Sequence, residues 1–297
     1  MPSIRSHFWR FIIKRLANYN KPLSELRLKF EKDTRYVSQP KDVRVTQLRV
    51  EGVPAEWLEP TEATPNKVLL YLHGGGYVMG SCAIYRGFAS RLAKSCGLRT
   101  LLLDYRLAPE HPFPAALDDS LAAYEWLLEQ GVSPKNIVVA GDSAGGGLTL
   151  ATLISLRDNN KPLPAMAFCI SPWTDLALTG DSINTCAEID PYVSHDLLGL
   201  GAHYIGDNDP RLPLISPLYA DLQGLPTLLI HVGSDEIMLD DATRFAEAAS
   251  VAGVNVTLKI WERMWHVFHF LAPRVPEASR AIEEIGQFVT AHWSHTD

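Results

Sequence analysis

A chain of 297 residues with an apolar share of 46% can form one large α/β domain or two smaller ones, with ample material for a core. Its net charge of −7, with no basic block beside aromatic platforms, argues against a nucleic-acid partner. Cys82, Cys96, Cys169 and Cys186 lie far apart with no C-x-x-C pair, which argues against zinc and redox motifs and fits free thiols in a reducing cytoplasm. No apolar run reaches the length of a membrane span. The short run Phe8 to Ile13 is broken by Arg10 and followed by Lys14 and Arg15, unlike a signal-peptide core.

In chain order, residues 1–20 predict a helix with Phe8, Ile12 and Leu16 on one face and Arg5, Arg10, Lys14 and Arg15 elsewhere. A second helical piece, 23–32, follows Pro22. Alternation over 43–50 predicts an antiparallel edge strand, with 53–58 able to pair with it. A buried strand (67–73), a helix (84–96), a strand (100–105) and a helix (115–130) ended by Gly131 come next. Strand 137–140 and helix 148–157 follow, then strands 166–170 and 227–232, helix 240–252, strand 254–261 and helix 277–292. Strands alternating with helices predict a mainly parallel sheet covered on both faces. Between Asp175 and Leu225 no strong strand is evident and Pro, Asp and Gly are frequent, so this stretch reads as an inserted lid rather than a structureless loop.

Between strand 137–140 and helix 148–157 lies Gly141-Asp142-Ser143-Ala144-Gly145. A strand that turns into a helix within so few residues strains the residue at the turn and needs glycine at its flanks. Such a turn lifts the Ser143 hydroxyl above the sheet. The N–H of Ala144 and the helix dipole then face a developing negative charge. His73-Gly74-Gly75-Gly76-Tyr77 directly follows a buried strand, and its run of unscreened N–H groups can approach an oxyanion. No Gly-Lys-Ser/Thr follows, so it is not a phosphate loop.

A serine hydroxyl needs a base, and the base needs an orienting carboxylate. Among the ten histidines, His266 and His269 both follow the last strand, and His266 lies nearer its C-terminal end, where active groups of open α/β sheets collect. Chain order asks for a carboxylate between Ser143 and the histidine. Asp235 is the first candidate, with Glu236, Asp240 and Asp241 as rivals better suited to a helix start.

His73-Gly74-Gly75-Gly76, the run from Asp104 to Ala116 with Asp-Tyr-Arg-Leu-Ala-Pro-Glu-His-Pro, the elbow Gly141-Asp142-Ser143-Ala144-Gly145-Gly146, Gly233-Ser234-Asp235 and Trp265-His266-Val267-Phe268 together resemble the hormone-sensitive-lipase-like esterases, bacterial family IV of the α/β-hydrolase fold. The resemblance runs from about Val68 to the chain end. It departs from the family at Asp235-Glu236-Ile237, where Asp-Pro-Leu is common, and at His266-Val267-Phe268, where His-Gly-Phe is common. It implies an α/β-hydrolase core (46–175 and 226–297) under a helical cap (1–45 and 176–225). It also implies Ser143, Asp235 and His266 as the catalytic triad, and Gly75, Gly76 and Ala144 as oxyanion donors. On this reading the N-terminal helix walls the acyl pocket instead of anchoring to a membrane.

The expected activity is that of a serine carboxylesterase acting on short to medium acyl esters through an acyl-enzyme, with no metal or organic cofactor. A small-molecule receptor of the same fold is the main alternative, but such receptors resemble this family without its histidine, and His266 is present. An amidase or thioesterase shares the triad and differs in the lid. The alternating run 254–261 suggests a sheet edge, and the resemblance implies that pairing through the last strands can give a homodimer.

Overall fold

The structure is a computed structural model and describes residues 2–16, 21–34 and 37–294. Two helices come first, α1 (Ile4–Leu16) and α2 (Leu23–Thr34). The helix expected over residues 1–20 is present from Ile4 to Leu16, and residues 17–20 lie outside the described residues. Strands β1 (Val43–Val50) and β2 (Val53–Pro60) form an antiparallel hairpin. The boundary expected at residue 45 falls inside β1, which starts at Val43.

Then follow β3 (Val68–Leu72), α3 (Cys82–Cys96), β4 (Arg99–Leu103), α4 (Ala115–Glu129), β5 (Ile137–Asp142), α5 (Ala144–Asp158) and β6 (Met166–Ile170). After β6 the chain makes the short helices α6 (Ser182–Thr185), α7 (His195–Gly199) and α8 (Ala202–Ile205) and a 3-10 turn at Pro217–Tyr219 before β7 (Thr227–Gly233). It closes with α9 (Leu239–Val251), β8 (Val256–Trp261) and α10 (Pro276–Ser294).

Among the described residues the strands form one sheet in the order β1-β2-β4-β3-β5-β6-β7-β8, antiparallel at the β1–β2 and β2–β4 pairs and parallel elsewhere. The parallel strands are apolar at nearly every position because both of their faces are covered. Successive side chains alternate faces. Leu69, Tyr71, Val138 and Ala140 pack with α3 and α10. Leu70, Leu72, Ile137 and Val139 pack with α4 and α5. β1 and β8 are the two edges of this sheet, and Ile260 on β8 is 46% exposed, so β8 lies at a sheet edge as its alternation suggested.

Parallel register brings the strand C-termini level. Leu72 is opposite Gly141, Asp142 opposite Ile170, Ile170 opposite His231, and Gly233 opposite Trp261. The loops after β3, β5, β6, β7 and β8 therefore converge at one rim. Residues of α1, α2 and the 176–225 stretch lie over that rim, lining one cavity with Ser143 and His266, and are called the cover below. Arg27 of α2 donates to the carbonyls of Val78 and Ala108 at 2.7 and 2.8 Å and pairs with Glu110. Tyr204 of α8 stacks on Tyr77 with ring centroids 3.7 Å apart.

Candidate active site

Ser143 stands between β5 and α5 with φ 53° and ψ −122°, a conformation costing a non-glycine residue about 1–3 kcal/mol. Tertiary contacts hold it there. The Ser143 N–H donates to Ile170 O at 2.9 Å, and its carbonyl accepts from Gly147 and Trp173, each at 3.0 Å. Gly145 lets α5 start against the end of β3, since any Cβ there would collide with the carbonyl oxygens of Leu72 and His73.

His266 sits in the loop after β8 and is 3% exposed. Its Nε2 is 2.9 Å from Ser143 Oγ, and its Nδ1 is 3.2 Å from a carboxylate oxygen of Glu236. These contacts call for the tautomer with Nδ1 protonated and Nε2 accepting from the serine. The alternative base, His269, is buried 3.3 Å from His231 Nδ1, and burial lowers its pKa well below the ordinary value.

The expectation that Asp235 faces the imidazole is corrected. Asp235 points to the cover, where its Oδ2 accepts from Arg10 Nη1 at 2.7 Å and its Oδ1 from Ser234 Oγ at 2.9 Å. Its neighbour Glu236 turns inward and is fully buried. Glu236 Oε2 accepts from Gly233 N at 2.6 Å and from Ser171 Oγ at 2.9 Å, while Oε1 faces His266. In a turn this tight, adjacent side chains leave on opposite sides. The donors at Gly233 and Ser171 select the inward carboxylate, and the Arg10 cation holds the outward one. The other two rivals are also engaged elsewhere. Asp240 accepts from Ser182 N at 2.8 Å, and Asp241 from the N–H groups of Thr174 and Asp175 at 2.8 Å each.

Burial opposes a charge on His266. The hydrogen bond and charge of Glu236, with the charges of Asp190 and Asp142, outweigh it and hold the imidazole pKa above its ordinary value.

The glycine loop after β3 is fastened from below. Asp142 accepts from Tyr71 Oη at 2.8 Å, Tyr85 Oη at 3.0 Å and Gly74 N at 3.1 Å, so the Gly74 N–H is already used. Burial pushes the Asp142 pKa up to about 6, against the pull of those donors. Gly75 has φ 115° and a backbone so close to Met79 O that no Cβ fits. Gly75 and Gly76 line a cavity of about 380 Å³ together with Ser143 and His266. Ala144 opens α5, and its N–H is one of the donors a helix leaves unpaired at its start. The cavity wall is apolar: α1 contributes Trp9, Ile12, Ile13 and Leu16, and the inserted stretch contributes Tyr192 and Leu197.

Comparison with known proteins decides the family. A family profile described as alpha/beta hydrolase fold matches residues 69–270. The acetyl-hydrolase of Streptomyces hygroscopicus is 48% identical over 236 residues, 79% of this chain and 79% of that protein. The crystal structure of EstE5 soaked with ethyl alcohol superposes with a TM-score of 0.96 at 43% identity, covering 98% of this chain and 99% of that one. An esterase from the bacterial hormone-sensitive lipase family superposes with a TM-score of 0.94 at 44% identity, covering 98% and 99% of the two chains. The chain belongs to the hormone-sensitive-lipase-like esterases of the α/β-hydrolase fold. The esterase is accordingly a carboxylic ester hydrolase.

Two residues around the site, Ser171 and Tyr192, escaped the sequence reading, and a third, Glu236, entered it only as a rival to Asp235. Ser171 donates to Glu236 and accepts from Val267 N at 3.2 Å, tying the acid to the histidine loop. Nothing in Ser171-Pro172-Trp173 signals that role. Tyr192 stacks on His266 at 6.4 Å between ring centroids, from a stretch without regular structure. Glu236 itself carried one signal: the apolar pair Ile237-Met238 after it, both buried, draws its side of the turn inward. Val267 takes φ 47° where the resemblance has glycine, so this esterase bends its histidine loop with a strained β-branched residue.

Proposed function

We propose that the esterase hydrolyses short to medium acyl esters through Ser143, His266 and Glu236, with Gly75, Gly76 and Ala144 as oxyanion donors. The observation that carries this reading is the continuous line from Ser143 Oγ to His266 Nε2 (2.9 Å) and from Nδ1 to Glu236 (3.2 Å). His266 Nε2 takes the hydroxyl proton as Ser143 Oγ attacks the ester carbonyl carbon. The carbonyl oxygen becomes an oxyanion against the backbone N–H groups. When the tetrahedral intermediate collapses, His266 gives the proton to the departing alcohol oxygen. Water then attacks the acyl-enzyme, with His266 again taking its proton, and the acid leaves as Ser143 is restored. Glu236 holds the imidazole in its orientation and steadies the imidazolium. Pre-steady-state kinetics with a p-nitrophenyl ester in excess test the acyl-enzyme: a burst of p-nitrophenol equal to the enzyme supports it, and finding no acyl group on Ser143 by mass spectrometry of the acid-quenched enzyme removes it.

The neutral imidazole is the reactive base. Because the His266 pKa is raised, kcat/KM is expected to rise with pH through a midpoint above the ordinary imidazole value of about 6.5. A midpoint at or below that value contradicts the Glu236 pairing.

We further propose that residues 1–45 and 176–225 act as one cap and that the inward face of α1 selects the acyl chain. Trp9, Ile12, Ile13 and Leu16 wall the cavity. Each methylene buried there contributes ~0.8 kcal/mol, so deleting residues 1–20 is expected to lower the butyrate-to-acetate ratio of kcat/KM by up to about tenfold. An unchanged ratio, together with lost binding to anionic vesicles, assigns α1 to a membrane surface instead.

A further inference from the structure

The turn that carries Glu236 is held from outside the core. Asp190 lies in the inserted stretch between α6 and α7, and its carboxylate is buried. Its Oδ1 accepts from the N–H groups of Tyr192 and Val193 at 2.9 and 3.3 Å. Its Oδ2 reaches across to accept from Ile237 N at 3.1 Å. Ile237 is the residue after Glu236, so this bond fixes the peptide that sets the direction of the acid. Two residues beyond Asp190, Tyr192 lies over the imidazole. The other flank of the same turn is held by Arg10 of α1, which donates to Asp235 Oδ2 at 2.7 Å and to Ile189 O at 2.5 Å. A second, weaker contact from Arg10 reaches Arg263 O at 3.4 Å, in the loop that leads to His266. Arg10 therefore joins α1, the segment beside Asp190 and the acid turn at one junction.

We propose that Asp190, seconded by Arg10, is a positioning residue for the acid of the triad, so that Glu236 faces His266 only while the cover is seated. The proposal rests on Glu236 being that acid. A buried carboxylate has no reason to enter an insertion that only walls an apolar cavity, because its desolvation is costly unless its lone pairs are used. Here the Asp190 acceptors are spent on three backbone N–H groups, one of them in the core. Burial pushes the Asp190 pKa up to about 6, while the nearby His266 charge and the backbone donors of Tyr192 and Ile237 pull it down and favour the ionised form. Its charge also supports the imidazolium. The charged or titratable groups that act on His266 are Glu236 from the turn after β7, Asp190 from the cover and Asp142 from the elbow, with His269 close behind on the histidine's own loop. Asp190 in turn faces Glu236, His266 and Cys186.

The test is Asp190→Asn, assayed with p-nitrophenyl acetate and normalised by active-site titration with a p-nitrophenyl phosphonate. The amide is isosteric, but it loses the charge and turns an N–H toward backbone N–H groups. A displacement of the acid by as little as ~1 Å can cost ~10²-fold, so a loss in kcat of about 10- to 100-fold per active site is expected. The KM for acetate, whose acyl group is too small to sense the cover, stays within about twofold. The acid limb of the pH profile moves to lower pH, because removing a negative charge makes His266 less basic. Wild-type kcat per active site overturns the proposal. So does a loss of kcat with the acid limb unmoved, the mark of a merely structural part. Should Asp190→Asn fail to fold, Arg10→Met, a change at a partly exposed side chain, carries the test: a kcat loss of a few fold at unchanged KM supports the clamp, and wild-type kcat overturns it. Glu236→Gln assayed in parallel separates the two readings. If it stays active the acid was wrongly chosen, whereas a dead Glu236→Gln beside a wild-type Asp190→Asn removes only the clamp.

Discussion

Replacing Ser143 by alanine is expected to lower kcat on a soluble aryl ester by at least ~10³-fold while the protein remains folded. The size of the loss follows from the role: without Oγ there is no covalent route, and His266 and Glu236 have nothing to activate. The fold survives because the strained elbow is held by backbone contacts, from Ser143 N to Ile170 O and from Gly147 and Trp173 N–H groups to the Ser143 carbonyl, none of which uses the side chain. Helix α5 behind it is buried from Ala144 to Leu156 and does not depend on the hydroxyl. Circular dichroism and initial rates on the same sample check both halves. A folded variant with near-wild-type turnover removes Ser143 as the nucleophile.

Changing Glu236 to glutamine is expected to lower kcat by something near ~10⁴-fold, the scale at which a triad loses its correctly oriented imidazole. The amide cannot accept a proton-bearing Nδ1 and at the same time keep both of its present donors, Gly233 N and Ser171 Oγ. It also withdraws the charge that raises the His266 pKa, so the remaining activity should show an acid limb at lower pH. Asp235→Asn is the control. It weakens a partly exposed ion pair with Arg10, an interaction on the order of 1 kcal/mol or less, and is expected to keep kcat within about tenfold of wild type. Steady-state rates of the two variants, taken across pH, decide between adjacent carboxylates. A crippled Asp235→Asn beside a mild Glu236→Gln returns the role to Asp235.

Much of this esterase was legible in its sequence because the signals are local. The elbow glycines mark a place where backbone approaches backbone, and Gly145 meets the Leu72 and His73 carbonyls as that spacing requires. The apolar runs of β3, β5 and β6 are those of strands buried on both faces. That His266 comes close to Ser143 was legible because it follows the last strand, and parallel register carries that strand's end level with β5 and β7. The lack of a strand between 176 and 225 was also legible, and the structure has short α-helices and a 3-10 turn there.

What only the tertiary structure decided is which of two neighbouring acids faces the imidazole. Asp235 and Glu236 are adjacent, both acidic, and both lie just past β7. Nothing in their own composition separates them with certainty. The choice is made by groups remote in the chain: Ser171 after β6, Asp190 in the inserted stretch and Arg10 near the N-terminus. A strand's burial is set by its own side chains and can be read from them. The direction of a carboxylate in a tight turn is set by whichever donors the rest of the fold brings to it.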